Sequence, residues 1–285
     1  MGTATTPAGV AAAATLARPP GAAAGLRALV WRGLRDHRLT PLTWGGSLGA
    51  LCALMAAMYP SMSDAIDRIM REYPRNLLKA FGVATIDSFE SWLHAEMFSI
   101  IVPIAVAFLA ARAATRWLVE AEQRGHLDTL LATPLARPVL VAGAFITTAL
   151  VLVEVLAVVG ALTYLVAVIA GAHPTLSVLL AGLVGVFALS LFFAGVAVLA
   201  AGFLHNAGAV TGVAAMLLGL MYTLNFVART VPSVSGLRWA SAFHYYGSPM
   251  IDGLDLVPTL GLVLVGLAMA AVGAVLFTRR DVLSR

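Results

Sequence analysis

The sequence predicts an all-α polytopic membrane protein with six transmembrane helices, an N-terminal amphipathic interfacial helix and a small extracellular helical cap. Three observations carry this prediction. Of 285 residues, 60% are hydrophobic and only 11% charged, whereas an ordinary soluble domain is roughly a quarter charged. The mean hydropathy is +0.92. The charges fall in a few clusters separated by apolar runs, and those runs are about as long as the roughly 20 residues needed to cross a bilayer.

Taken in order, the elements divide the chain into a tail, residues 1–25, and a six-span domain, residues 26–285. The tail is rich in Ala, Gly, Pro and Thr and lacks the basic and apolar regions of a signal peptide, so it reads as disordered and cytoplasmic. Residues 26–40 hold the interfacial helix. Leu26, Leu29, Val30, Gly33 and Leu34 share one helical face, and Arg27, Arg32, Arg35 and Arg38 surround the other. Pro41 breaks the chain before a first span over Leu42 to Tyr59. Residues 60–96 mix acidic and basic side chains with apolar ones and read as a cap of short amphipathic helices outside the membrane. The second span runs from Met97 to Ala114, and residues 115–137 form a charged cytoplasmic loop. The third and fourth apolar runs, Val139 to Ala170 and Leu176 to Leu204, exceed the bilayer thickness and must tilt or protrude. A turn at His205 and Asn206 leads to the fifth span, Ala209 to Val227. Residues 228–257 form an outer connection, and the sixth span, Pro258 to Phe277, ends at Arg279 and Arg280.

With the amino terminus inside, the inner segments hold twelve of the 18 Lys and Arg residues, which places both termini in the cytoplasm of a multi-pass cell-membrane protein. That bias also explains the net charge of +4. The arginines flank apolar runs instead of forming a basic face with interleaved aromatics, so nucleic acid is not expected as a partner, whereas membrane lipid is. A single cysteine, Cys52, excludes an intramolecular disulfide and a CxxC metal site, and it reads as packing.

No HExxH, GxSxG or Walker-type GxxxxGK[ST] pattern is present, so metallohydrolase, serine hydrolase and autonomous ATPase chemistry have no anchor. The chain is expected to have no catalytic site, no metal site and no cofactor of its own. The informative stretch is the loop between the second and third spans, running from Glu120 to Arg137. Leu127, Leu130 and Leu131 form an apolar ridge on a short helix, with Glu120, Glu122, Arg124 and Asp128 around it. Such a helix can dock in a groove on a partner.

This stretch resembles the inner loop of type 2 ATP-binding-cassette permeases, in which an acidic pair, Gly-Thr-Leu-Glu, a Leu pair and Thr-Pro-Leu-Ser-Arg form the coupling helix. Glu120 and Glu122, Gly125, Leu127, Asp128, Leu130, Leu131, Thr133, Pro134 and Arg137 fall on that pattern. His126, Asp128 and Ala136 replace the usual Thr, Glu and Ser, and one residue is inserted between Glu122 and Gly125. Ser241 to Tyr246 and Phe277 to Asp281 resemble the same family. The resemblance implies a permease subunit of an exporter, coupled through this loop to cytoplasmic ATP-binding subunits. Those partners would bind the ATP and Mg. It also implies a second permease copy or paralogue and an amphipathic substrate such as a drug, lipid or natural product. The rival reading is a non-transport membrane scaffold or sensor that binds a partner through its outer cap.

The resemblance also makes residues 228–257 a re-entrant segment closing the substrate path. His244, Tyr245 and Tyr246 belong to it, although aromatic rings are also favoured at a membrane interface without function. Glu154 is the acidic residue deep in an apolar run. The cost of a carboxylate in hydrocarbon predicts that it faces the bundle interior, with Thr147, Thr148 and Thr163 beside it and Tyr222 or Asn225 donating from the fifth span. There it serves an interhelical hydrogen bond, contact with a cationic or hydrogen-bonding substrate, or a proton relay. The spacings Gly45-x-x-x-Gly49 and Gly208-x-x-x-Gly212 permit close helix contact, expected to be within the chain.

Overall fold

The computed structural model describes residues 22–72, 88–120 and 137–279. Six helical segments among them are long and apolar enough to cross a membrane: Pro41–Met62, Ile101–Val119, Pro138–Ile169, Leu176–Phe203, Ala207–Thr230 and Leu256–Arg279. The described residues are almost wholly helical, as a chain without water to satisfy its backbone must be. Residues 1–21, which hold most of the expected tail, fall outside the described residues.

Helix α1, Ala22–Asp36, lies ahead of the first span. Leu29 and Gly33 on its inner face are buried, and Arg27, Arg32 and Arg35 are exposed, as the amphipathic pattern requires. A π-helical turn, Pro41–Gly45, opens the first span and passes into α2, Gly46–Glu72. The sequence reading ended that helix at Pro60, yet the helix continues through it. Proline removes one N–H and displaces nearby carbonyls. One carbonyl in the preceding turn, Met55 O, accepts a hydrogen bond from Trp92 Nε1 at 3.2 Å. The cap thus begins as a continuation of the first span, and residues 73–87 lie outside the description.

Helix α3, Phe89–Leu93, is capped by Ser88. A π-helical turn, His94–Phe98, leads to α4, Ile101–Thr115, and a second such turn covers Arg116–Glu120. Helices α5, Arg137–Ile169, and α6, Leu176–Phe203, follow. Glu90 Oε1 accepts from the Thr175 backbone N–H at 2.9 Å, tying α3 to the start of α6. Asn206 caps α7, Ala207–Thr230, through Ala209 N–H at 3.1 Å, so this turn residue has a local role. A 3-10 helix, Pro232–Ala240, and the short α8, Ala242–Tyr246, form a hairpin before α9, Leu256–Arg279.

Helix α6 is the centre of the bundle. Its span is 72% buried, against 22% for α7 at the periphery. It packs on α4, α5, α7 and α9, most extensively on α9. That seam is made by glycines: a Cβ on Gly266 would lie 2.8 Å from Leu191 O and 2.9 Å from Phe192 Cα. Hydrocarbon gives apolar side chains no reason to prefer each other over lipid, so backbone proximity and van der Waals contact hold such helices together. Gly45 and Gly49 pack α2 on α5 in the same way, with Cβ positions 3.0 Å from Val155 O and 2.8 Å from Leu162 Cδ1. Gly212, in contrast, meets nothing within 4 Å among the described residues, so the second small-residue pair makes no such helix contact there. Inside the spans, Thr115, Thr148, Thr163 and Ser190 each return their hydroxyl proton to the carbonyl four residues earlier. Cys52 is fully buried in the core.

Candidate functional site

The residues expected on the substrate path divide between two parts of the bundle. Five of them gather around the hairpin between α7 and α9. Ser241 Oγ accepts from Phe243 N–H at 3.2 Å and donates to Met221 O at 2.6 Å, so the residue that caps α8 also fastens it to α7. Gly247 ends α8 with φ of 64°, a conformation that favours glycine. Tyr246 is buried, and its hydroxyl donates to Phe98 O at 2.7 Å, which fixes the hairpin to the π-helical turn before α4. Burial pushes its phenol well above the usual range. Tyr245 points the other way. It is exposed and donates to Trp239 O at 3.1 Å, and the His244 ring lies edge-on between Trp239 and Tyr245. Tyr222 on α7 meets Phe243 edge-on at 5.4 Å.

These contacts leave a mostly apolar cavity of about 320 Å³ between α6, α7, the hairpin and α9, walled by Phe192, Met221, Ser241, Tyr245, Leu262 and Val265. It falls within the size range of small-molecule sites, roughly 300–1,000 Å³. Nearby, Asn225 is buried on α7 and its Oδ1 has no hydrogen-bond partner among the described residues. His94 Nδ1 is likewise buried without a partner. Burial lowers the His94 pKa; Asp252 opposes that shift and Arg229 adds to it. Two orphaned buried polar atoms are costly, and both belong to the hairpin end of the bundle.

Glu154 is not with this group. It lies on α5, which packs on α1, α2, α6 and α9, and its side chain is exposed. The expectation that it faces the bundle interior is therefore corrected. The supposed companions Thr147, Thr148 and Thr163 are all buried, and Thr148 and Thr163 return their hydroxyl protons to the carbonyls of Ala144 and Val159. Tyr222 and Asn225 belong to the hairpin end.

The opposite end is organised by α1. A Cβ on Gly33 would sit 2.6 Å from Thr147 Cγ2 and 2.8 Å from Trp117 Cζ2, so only glycine lets α1 lie this close to α5 and to the turn Arg116–Glu120. Leu29, Trp117, Leu118, Leu140, Gly143 and Phe277 surround one small cavity there. His37 is buried beside them, within 3.2 Å of Thr40 Oγ1, and burial together with Arg116 lowers its pKa. Glu120 ends the turn and Arg137 begins α5. The loop joining them thus leaves and re-enters the bundle against α1 and the last turn of α9. Glu122, Gly125, Leu127, Asp128, Leu130, Leu131, Thr133 and Pro134 all lie outside the described residues.

A family model described as the C-terminal domain of the multidrug efflux system permease Rv1217c matches residues 24–278. The chain belongs to this family. It is a multi-pass membrane permease of an efflux system, and the match runs from α1 to the last turn of α9. No curated protein matches it. Sequence reasoning about the permease missed His94, which no motif marks, and the role of Gly33, one glycine among 26. The signal for Gly33 was its place on the apolar face of an arginine-rich helix, where a missing side chain allows another helix to approach.

Proposed function

We propose that this permease is the membrane subunit of a type 2 ATP-driven exporter and moves amphipathic molecules out of the cell. The observation that carries the reading is the family match, taken with the acidic pair, the Leu pair and Thr133-Pro134 in the loop between two fixed points at the α1 end. In this reading both termini and α1 are cytoplasmic, consistent with the excess of arginine at that end. Two cytoplasmic ATP-binding subunits hold ATP and Mg, and the permease itself carries out no covalent chemistry. The ridge Leu127, Leu130 and Leu131 docks in a groove on the ATPase, with Glu120, Glu122, Gly125, Asp128, Thr133, Pro134 and Arg137 shaping the loop around it. Closure of the ATPases then displaces the α1 end of the bundle as a body.

A second six-span unit completes the path. Helix α7 supports this, because Met216, Leu220 and Phe226 are each more than half exposed, and Gly212 and Gly219 on the same helix face open space. Small and large residues together on one open face suit close packing against another helix. On the outer side, Tyr222, Asn225, His244, Tyr245 and Tyr246 hold or border the hairpin cavity, which suits an apolar substrate on its way out.

The test is co-purification of the permease with its ATP-binding subunit. Leu130→Asp or Leu131→Asp puts a charge on the docking ridge, where it would be buried unpaired at a cost of several kcal/mol, on the order of 3–5. Either variant is expected to insert normally and lose the ATPase. Stoichiometric ATPase with normal transport in both variants would remove the coupling role from this ridge.

A further inference from the structure

Helix α9 contributes Pro258, Gly261, Leu262 and Val265 to the wall of the hairpin cavity, a spacing that puts all four on one helical face. A Cβ on Gly261 would meet nothing within 4 Å. Gly266 and Gly273 on the same helix are different, because the backbone of α6 fills the room their missing side chains leave. The room left by Gly261 is filled by no neighbouring helix and belongs to the cavity. Opposite it stand Phe192 on α6, Met221 on α7 and Tyr245 on the hairpin. Val265 and Tyr245 are 49% and 39% exposed, so the cavity opens sideways at the surface of the bundle. On a helix long and apolar enough to cross a membrane, that surface meets hydrocarbon.

The chemistry of the walls is restrictive. None of the described lining residues is charged. Arg238, close by in the chain, is held over the Trp239 ring at 5.4 Å and is not among them. Both hydroxyls in the wall already use their protons: Ser241 Oγ donates to Met221 O at 2.6 Å and Tyr245 Oη to Trp239 O at 3.1 Å. A hydroxyl has one proton to give, so the walls offer no side-chain donor, and the Tyr245 oxygen remains as an acceptor. A carboxylate, phosphate or sulfonate would lose its water here with no side-chain donor to replace it. An ammonium would exchange its water for one phenol oxygen. Both are strongly disfavoured.

We infer that the hairpin cavity selects uncharged lipophilic molecules taken up from the membrane, and that Gly261 sets the size it accepts. An uncharged body suits the apolar walls, and a single N–H or O–H on it can donate to Tyr245. A helix of another subunit, roughly 10 Å across, is too thick to enter a cavity of about 320 Å³. A lipid acyl chain suits the walls but offers Tyr245 no donor, so it is the occupant that the selected molecule displaces. The inference rests on the export reading for the cavity's place on a substrate path; binding itself needs no ATPase.

The experiment titrates N-phenyl-1-naphthylamine, an uncharged fluorescent lipophile with one N–H, into the purified full chain in phosphatidylcholine nanodiscs. It reads the saturable fluorescence above that of empty nanodiscs. Wild type is expected to show such a component. Gly261→Leu fills the cavity from α9 and should weaken binding by about ten-fold or more. Val265→Phe narrows the mouth from an exposed position and should weaken it too. Two ions serve as competitors: 1-anilinonaphthalene-8-sulfonate, the same skeleton with a sulfonate, and tetraphenylphosphonium, a permanent cation. Neither should displace the probe at about a hundred-fold excess. Absence of a saturable component, which leaves lipid as the occupant, overturns the proposal. So does wild-type affinity in both variants at normal melting behaviour, or displacement by either ion. Gly261-dependent binding of the probe without its ATP-driven transport would instead sink the exporter reading and leave the site standing.

Discussion

The most exposed consequence of the fold concerns the glycine seam between α6 and α9, probed by Gly266→Ala. The new Cβ would stand 2.8 Å from Leu191 O and 2.9 Å from Phe192 Cα, with Leu191 C at 3.1 Å. Ordinary van der Waals contact begins about half an ångström further out, and all three atoms are backbone, so no side chain can rotate aside. The helices must move apart along the seam, which also loosens the close approaches of Gly195 to Gly266 and of Gly273 to Val198. Overpacking a tight site costs about 1–3 kcal/mol, and a rigid backbone partner argues for the upper end. Alanine returns up to about 1 kcal/mol in helix propensity, leaving a net loss of about 2 kcal/mol. Gly261→Ala on the same helix is the control, because its Cβ meets nothing within 4 Å and only the propensity gain applies. At about 2–4 °C per kcal/mol for a chain of this size, Gly266→Ala should melt about 4–8 °C lower in detergent and Gly261→Ala at or slightly above wild type. Equal melting temperatures for the two variants would refute the claim that backbone proximity holds the centre of the bundle together.

Two further outcomes are expected. Tyr246→Phe removes the buried hydroxyl that donates to Phe98 O and should cost about 1–2 kcal/mol, seen as a lower melting temperature and faster proteolysis of the hairpin; unchanged proteolysis would mean the apolar contacts alone hold it. His94, with a pKa lowered chiefly by burial, is neutral in the folded protein, so its contribution to stability is full above its unfolded pKa of about 6.5 and is lost as pH falls below that value towards the folded pKa. His94→Leu should flatten the part of the melting profile just below about pH 6.5, and an unchanged slope would assign it to His37 or to other groups.

Span positions were legible because apolar length alone sets them: the bounds expected for the third to sixth runs fall within three residues of the ends of their helices. Pro60 misled because a proline costs one hydrogen bond and some strain, not a whole helix. Depth along a helix was legible too, since it is a count of residues. Direction around the helix was not. Helix α5 is apolar on every side, so no polar stripe marks which face meets protein and which meets lipid, and the carboxylate of Glu154 was assigned to the wrong one. The adjacent tyrosines show the same limit at shorter range. Tyr246 is buried against Gly185 and Phe98, while Tyr245 faces outward, and only the approach of α6 through its glycines decides between them.

The distribution of tight and open glycines also bears on how the proposed export cycle would move this chain. Helices α6 and α9 touch backbone to backbone, α2 lies on α5 through Gly45 and Gly49, and α1 lies on α5 through Gly33. A displacement applied at the α1 end is transmitted at these contacts, directly between backbones at the α6–α9 seam and through the tightly packed side chains of Thr147, Val158 and Leu162 where α1 and α2 meet α5, because close-packed interiors yield little. The group α1, α2, α5, α6 and α9 is therefore pushed as one body. Helix α7 is different. Its contacts are with α4, α6 and the hairpin, and its glycines Gly212 and Gly219 meet nothing within 4 Å among the described residues. Relative motion is cheapest along a surface with few interlocking backbone contacts, so the sliding boundary in the cycle runs along α7. The hairpin cavity, bounded by α7 through Met221 and by α9 through Leu262 and Val265, lies across that boundary. It would change volume when the two sides shift, which is the property that an outward-facing substrate site in an exporter requires.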